Sequence, residues 1–205
     1  ELTICDVLLG ESKAQDVILR VEEGGFDLLP GNEDATLAEV KLLQEIGREM
    51  RLKQAINLVK DKYDFILIDC PPSINMLTVN ALTAADGVLI PMQCEYYALE
   101  GLTSLINTID QINKTVNPKL EIYGLLRTMV DHRINLSNEV SQQLIDYFGD
   151  KVFRTVVPRN VTLAEAPSFG RPVLFHDRKS RGALAYLALA GEMLRREDDT
   201  AQSIA

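Results

Sequence analysis

Residues 63–73 read YDFILIDCPPS, in which an apolar run ends on the carboxylate of Asp69 and two prolines follow after Cys70. The continuous apolar run 65–68 predicts a strand that is buried on both faces, as in the middle of a parallel sheet. Pro71 and Pro72 forbid the strand to continue, so Asp69 is expected at its carboxyl end. Ligands of open α/β sheets gather at that end of the strands. The segment therefore constrains the fold and makes Asp69 a candidate site residue.

The rest of the chain alternates short apolar runs with helical patterns, which is typical of β-α-β units around a parallel sheet. We expect an α/β fold with a doubly wound, mostly parallel sheet and helices on both faces. Residues 1–205 are expected to form a single domain, with a disordered tail at 197–205. The predicted strands are 26–32, 63–69, 87–92, 120–130, 152–158 and 172–175, and the predicted helices are 34–60, 76–85, 98–116, 137–148, 161–166 and 181–196.

Composition narrows the class of protein. The chain has 205 residues, enough for one α/β domain with a sizeable core. Its net charge of −9 argues against a surface coated with nucleic-acid-binding charge, although a local basic patch depends only on where the charge lies. The three cysteines, Cys5, Cys70 and Cys94, form no C-x-x-C pair and read as reduced cytosolic thiols, neither a disulfide framework nor a zinc site.

Asp69 has two interpretations from its position alone. It either forms the turn before the prolines, or it is a ligand for Mg²⁺, as is the Asp that ends an apolar strand in P-loop NTPases. The second interpretation needs a G-x-x-x-x-G-K-[ST] loop to cradle phosphates. None of the twelve glycines is followed by lysine, and GESK at 10–13 lacks the second glycine and the Ser/Thr. Either the chain is not an NTPase, or the phosphate loop lies outside it.

The residues around Asp69 resemble the ParA/Soj family of plasmid and chromosome partitioning ATPases. The resemblance extends over essentially the whole chain, with its motifs in order. The matching stretches are ICDVLLGE (4–11), DLLPGNEDATLAEVKL (27–42), the segment 63–102, GLLRTMVDHRINLS (124–137), VVPRNVTLAEAPSFGRPV (156–173) and DRKSRGALAY (177–186). The family begins with a strand, a deviant phosphate loop and a helix, which are expected to precede Glu1. The chain therefore looks like the C-terminal four-fifths of such a domain.

The resemblance implies ATP/ADP and Mg²⁺ as cofactors. It makes Asp69 the second acidic motif, which helps to place Mg²⁺ through water. It also implies an adenine site with two walls. Thr128 and Met129 form one wall, and Pro158, Arg159 and Asn160 form the other. Pro158 equally reads as a simple strand terminator.

The resemblance also implies partners. Members of the family form a homodimer on ATP, the dimer binds double-stranded DNA without sequence preference, and a ParB-like centromere-binding protein stimulates hydrolysis. Arg133 aligns with a DNA-contacting arginine of the family, although it also reads as a solvated loop residue. A second such arginine would fall at Thr162, which is not basic, and this departure affects the expected DNA surface. The expected location is cytoplasmic and nucleoid-associated, without membrane binding.

Two other functions compete with this interpretation. A non-enzymatic interaction domain could keep the fold without ATP chemistry, since the phosphate loop is not in the chain. We expect this polypeptide by itself to be marginally soluble, self-associating or complemented by another segment. A MinD-like division-site regulator would end in a basic, membrane-binding amphipathic helix, whereas residues 196–205 read REDDTAQSIA and are acidic.

Overall fold

The computed structural model describes residues 2–95, 98–131 and 133–204, and it describes side chains only as far as residue 199. The chain divides into two compact units. The first unit consists of residues 1–88 and 107–121, and the second of residues 89–106 and 122–205.

The first unit is mainly helical. Its first helix is fixed by a capping box, in which the Thr3 hydroxyl accepts from the Cys5 backbone N–H and the Asp6 carboxylate accepts from the Thr3 backbone N–H at 2.7 Å. The elements are α1 (Ile4–Leu8), α2 (Ala14–Val17), the antiparallel hairpin of β1 (Leu19–Val21) and β2 (Phe26–Leu28), α3 (Ala35–Leu42), α4 (Arg51–Asn57) and α5 (Met76–Ala84). The strand predicted at 26–32 is therefore shorter than expected.

The long helix predicted over 34–60 is broken into two. Gly47 has φ of 67°, in the left-handed region that glycine adopts without strain, and a 3-10 turn at Arg48–Met50 follows it. The two halves still face one core, because Leu42 and Leu52 are both buried in one cluster with Leu8. The apolar period does not mark the buried face, because Leu37, Val40, Leu43 and Ile46 are 51–96% exposed, and the chain turns at the glycine.

The prediction of a central strand at 63–69 is wrong for the structure. Among the described residues, those from 63 to 75 belong to no strand. Phe65, Ile66 and Leu67 are 49%, 40% and 82% exposed. A strand requires a neighbour that pairs with its backbone, and the described residues provide none for this segment. The apolar run thus remains an unpaired apolar segment on the surface of the first unit.

The second unit is built around a three-stranded sheet in the order β3-β4-β5. Strands β4 and β5 are parallel, with Leu125 opposite Val152 and Val130 opposite Pro158. The strands are β3 (Gly87–Gln93), β4 (Glu121–Val130) and β5 (Val152–Pro158), and the helices are α6 (Ala98–Thr115), α7 (Asn135–Phe148), α8 (Val161–Glu165), α9 (Val173–His176) and α10 (Arg181–Ile204). Helix α6 and the start of β3 also belong in part to the first unit.

Two predictions for the C-terminal part differ from the structure. The strand predicted at 172–175 is the short helix α9, which begins after Pro172 because the Pro172 carbonyl accepts from the Phe175 and His176 backbone N–H groups at 2.9 and 3.1 Å. Proline suits the start of α9, since the N–H that it lacks would have no intrahelical partner there.

Helix α10 continues to Ile204, where a disordered tail was expected from residue 197.

The core of the second unit lies between the sheet and α10. Phe153 is fully buried, and it clusters with Leu126, Val157 and Leu189. The described residues include no helix that is long and apolar enough to cross a membrane. Packing on this sheet fixes the strand ends at which the predicted site residues lie.

Candidate functional site

The carboxyl ends of β4 and β5 lie side by side because the two strands are parallel and Val130 is opposite Pro158. The Arg159 backbone N–H extends the pairing by donating to the Val130 carbonyl at 3.2 Å. The structure therefore brings together the two groups predicted as a binding site: Thr128, Met129, Pro158, Arg159 and Asn160. This is the edge of a parallel sheet at which ligands bind in α/β proteins.

Met129 has an unusual backbone at this edge. Its φ is 55°, and it is the one non-glycine residue with a positive φ in the part of the chain that the structure describes. The strand register shifts between Arg127 and Val130, so Met129 lies within an irregularity of β4. The Met129 side chain is 43% exposed, and Thr128 before it is half-buried. Such strained positions cluster at functional sites, where the surrounding structure maintains them.

Asn160 performs a structural task at the neighbouring strand end. Its Oδ1 accepts the Leu163 backbone N–H at 3.1 Å and caps α8, while Pro158 ends β5. Both the strand-terminator interpretation of Pro158 and its place in the predicted site therefore fit the structure. Thr162 lies in the first turn of α8 and supplies no charge.

Arg133 lies in the loop that follows β4 and is held by Asp131. The Asp131 carboxylate accepts the Arg133 Nε–H at 2.8 Å and the Arg133 backbone N–H at 3.1 Å, and it also accepts from Nη2. The Arg133 side chain is 89% exposed and that of Asp131 is 19% exposed. Hydrogen bonds from the Arg133 side chain and backbone hold the pKa of Asp131 well below its usual range. The Arg133 guanidinium is thus exposed to solvent while it is hydrogen-bonded to the ionised carboxylate of Asp131.

Asp69 lies in the first unit, in the exposed segment before α5. The loop after it is anchored by Asn75, whose Oδ1 accepts the Thr78 backbone N–H at 3.0 Å, and by Glu39, which accepts the Met76 backbone N–H at 3.3 Å. Within the described residues, no three His, Cys, Asp or Glu side chains are close enough to hold a metal ion. Asp69 fits Mg²⁺ only as a single hard oxygen ligand, with water filling the other positions.

Two features of this edge could not be predicted from the sequence. The positive φ of Met129 leaves no trace in the sequence. The role of Asp131 leaves a weak one, because an Asp just beyond a strand is typical of an Asx turn, in which the carboxylate accepts the backbone N–H two residues on.

Known proteins resemble this chain closely. A family model described as an AAA domain matches residues 1–122. An uncharacterised protein of Pseudomonas putida is 57% identical over 96% of this chain and 75% of its own length. The chromosome partitioning protein ParA of Caulobacter vibrioides is 48% identical over 96% of this chain and 74% of its own length. The sporulation initiation inhibitor protein Soj of Bacillus subtilis is 48% identical over 94% and 76%.

Solved structures share the fold. A cobyrinic acid a,c-diamide synthase from Mycobacterium smegmatis, crystallised with an ATP analogue and magnesium, has a TM-score of 0.81 and 34% identity, over 96% of this chain and 73% of that one. The cell division ATPase MinD of Pyrococcus furiosus has a TM-score of 0.75 over 95% of this chain and 76% of that one, and at 24% identity it supports the fold alone. The expected fold class is thereby confirmed as the α/β fold of the P-loop NTPases. The chain belongs to the ParA/Soj family of chromosome-partitioning ATPases.

Proposed function

We propose that this protein acts in DNA segregation as a ParA/Soj-type ATPase. ATP binding drives dimerisation, the dimer binds double-stranded DNA without sequence preference, and a ParB-like centromere-binding protein stimulates hydrolysis and release. The observation that carries the proposal is the edge formed by the ends of β4 and β5, in a chain 48% identical to a chromosome partitioning protein. The protein works in the cytoplasm, on the nucleoid.

The adenine base of the nucleotide binds at this edge. Met129 supplies an exposed, flexible apolar side chain that fits the face of a purine. Its left-handed backbone sets that side chain at the strand end, next to Thr128. The opposite wall is formed by Pro158, Arg159 and Asn160, and Asn160 is kept in place by capping α8.

Magnesium binding is assigned to Asp69, through water. When bound, Mg²⁺ would neutralise phosphate charge. The residues of this chain contribute one carboxylate and a loop anchored at the start of α5. Asp69→Ala should weaken Mg-dependent nucleotide binding by about tenfold or more while the fold is retained. Glu95→Ala, which removes a carboxylate near the end of β3, is the charge-matched control; equal nucleotide affinity in the two variants would return Asp69 to a turn-forming role.

DNA binding is assigned to Arg133, whose guanidinium is almost fully exposed. Arg133→Ala should lower DNA affinity and reduce the slope of log affinity against log salt by about 0.9, the loss expected for one phosphate contact. Arg133→Glu should lower the affinity further and leave ATP affinity unchanged. DNA binding that is equal to wild type at matched salt would remove Arg133 from the interface.

The alternative is a non-enzymatic interaction domain, which is favoured by the absence of a G-x-x-x-x-G-K-[ST] loop from the 205 residues. Titration of the chain with Mg-ATP, with ADP as the comparison, separates the two functions. Micromolar binding supports a nucleotide site built from this chain. No binding up to millimolar nucleotide supports the interaction domain for the chain by itself, and the ATPase activity then needs a phosphate site supplied by other residues.

A further inference from the structure

The loop after β4 contains a carboxylate with an unusually complete set of contacts to one arginine. Asp131 accepts four hydrogen bonds from Arg133, three from the guanidinium and one from the backbone. The guanidinium bonds come from Nε, which reaches both carboxylate oxygens, and from Nη2. These two nitrogens lie on the same edge of the planar group, so the contact has the bidentate geometry of a strong arginine–carboxylate pair. The side chain and the turn that carries it are therefore fixed by the same carboxylate.

The relative exposure of the two groups gives the pair a direction. Because 89% of the Arg133 side chain is accessible and only 19% of the Asp131 side chain is, the carboxylate lies on the protein side and the guanidinium on the solvent side. A guanidinium has five N–H donors, so Arg133 has donors on Nη1 and Nη2 beyond those that bond to Asp131. An anion that approaches from solvent meets these donors before it meets Asp131.

A second arginine lies beside the pair. Arg159 follows β5, and its backbone N–H bonds to the carbonyl of Val130, the residue directly before Asp131. The positive charge of Arg159 adds to the effect of Arg133 in lowering the pKa of Asp131. Asp131 thus supplies a negative charge close to two positive ones at one strand edge, which offsets part of their mutual repulsion.

We propose that Asp131 is a positioning residue, which holds Arg133 in the conformation that contacts a phosphodiester of double-stranded DNA. This inference rests on the proposed DNA binding of Arg133. An arginine side chain loses rotamer freedom when it is fixed on a ligand. The bond to Asp131 removes much of that loss before DNA arrives, and this gain exceeds the weak, solvent-screened repulsion between the carboxylate and the phosphate.

The test compares Asp131→Asn with wild type in fluorescence anisotropy titrations of random-sequence double-stranded DNA, with Mg-ATP present and at several salt concentrations. Asparagine keeps an oxygen for the backbone N–H but loses the ion pair. We expect DNA affinity to fall by roughly threefold to tenfold, the size expected for immobilising one long side chain. The salt slope should stay unchanged, because the same phosphate contact still forms. Equal or higher affinity would overturn the proposal.

A charge-matched control separates positioning from net charge. Asp150→Asn adds the same charge at the opposite end of β5, in the 3-10 turn Gly149–Lys151, and it should leave affinity unchanged or slightly higher. A double-mutant cycle then tests the mechanism: in an Arg133→Ala background, Asp131→Asn should no longer weaken binding. A loss of the same size in that background would mean that Asp131 acts only through the general fold, which contradicts the proposal.

One further readout needs no DNA. The Arg133 Nε–H should give an ordered ¹⁵N resonance in wild type that is lost in Asp131→Asn, and an ordered signal in both would overturn the positioning role.

The variant Arg133→Glu distinguishes a failure of the positioning role from a failure of the proposed DNA binding. If Arg133→Glu weakens DNA binding and Asp131→Asn does not, only the positioning role fails. If Arg133→Glu has no effect, the assignment of DNA binding to Arg133 fails and the positioning role fails with it.

Discussion

Replacing Glu192 tests what fastens the last helix to the sheet of the second unit. Its carboxylate is at the buried face of α10, where it accepts the backbone N–H groups of Arg154 and Thr155 at 2.8 Å each and the Arg196 guanidinium at 3.2 Å. The residue is only 7% exposed. Arg196 in turn stacks over the Phe153 ring, 4.0 Å from its centroid. One side chain of α10 thus bonds β5 at two successive residues.

The magnitude follows from the two backbone bonds. A hydrogen bond to a charged group contributes about 1.5–3 kcal/mol. Because β5 is the last strand in the sheet order and water can reach Arg154, the lower value applies to each bond. Glu192→Ala should therefore lower the free energy of opening by about 3 kcal/mol. Glu192→Gln keeps one acceptor oxygen and should lose about half as much.

Native-state hydrogen exchange measures this directly at the amides of Arg154 and Thr155. A loss of about 3 kcal/mol corresponds to exchange roughly 150-fold faster at these two positions. The exposed Glu139 on α7 supplies the control, and Glu139→Ala should stay within about 0.5 kcal/mol of wild type. A loss below about 1 kcal/mol in Glu192→Ala would refute the reasoning, since the bonds would then be replaced by water without cost.

Three other perturbations test the fold. Burial raises the pKa of Glu192, but the hydrogen bonds that the carboxylate accepts outweigh this effect and hold the pKa below its usual value. Its contribution to stability is therefore present above about pH 4.3 and is lost as the pH falls through the folded pKa. In an acid titration, the free energy of unfolding of Glu192→Ala should fall less steeply than that of wild type. Asn80 is fully buried with three hydrogen bonds, and Asn80→Ala should cost the first unit about 3 kcal/mol in urea unfolding, a prediction that a loss under about 1 kcal/mol would contradict. Leu67→Glu should reduce self-association in sedimentation velocity, whereas the control Leu58→Glu, at another exposed leucine, should not. Equal self-association of the two variants would show that the apolar segment 65–68 is not the surface through which copies of the chain associate.

The part of the fold that could be predicted from the sequence is the part whose partners lie within the chain. Strand β5 begins and ends where it was expected, and β4 and β3 differ by one residue at an end. Each has a paired neighbour, and side chains of all three pack in one cluster with Leu189 of α10. The run at 63–69 carries an equally strong strand pattern but lacks a pairing partner among the described residues. Pattern identifies a segment that can form a strand, and pairing decides whether it does.

Local turns account for the other differences. Gly47 divides the predicted helix 34–60 through a backbone angle that the apolar period does not reveal. The four residues of α9 were too few to show a period, and their β-branched and aromatic content suggested a strand. At the site, family resemblance predicted Thr128 and Met129 and their opposite wall, which stay predictions. The direction of the Arg133 side chain depends on a contact that only the folded loop makes.

The left-handed backbone of Met129 has a consequence for how this sequence can change. A non-glycine residue in that region costs about 1–3 kcal/mol, which glycine would recover. Substitution by glycine is thus the direction in which stability alone would drive this position. The methionine therefore carries a cost in stability, and Met129→Gly is expected to raise the free energy of unfolding while it removes the side chain proposed to face the adenine.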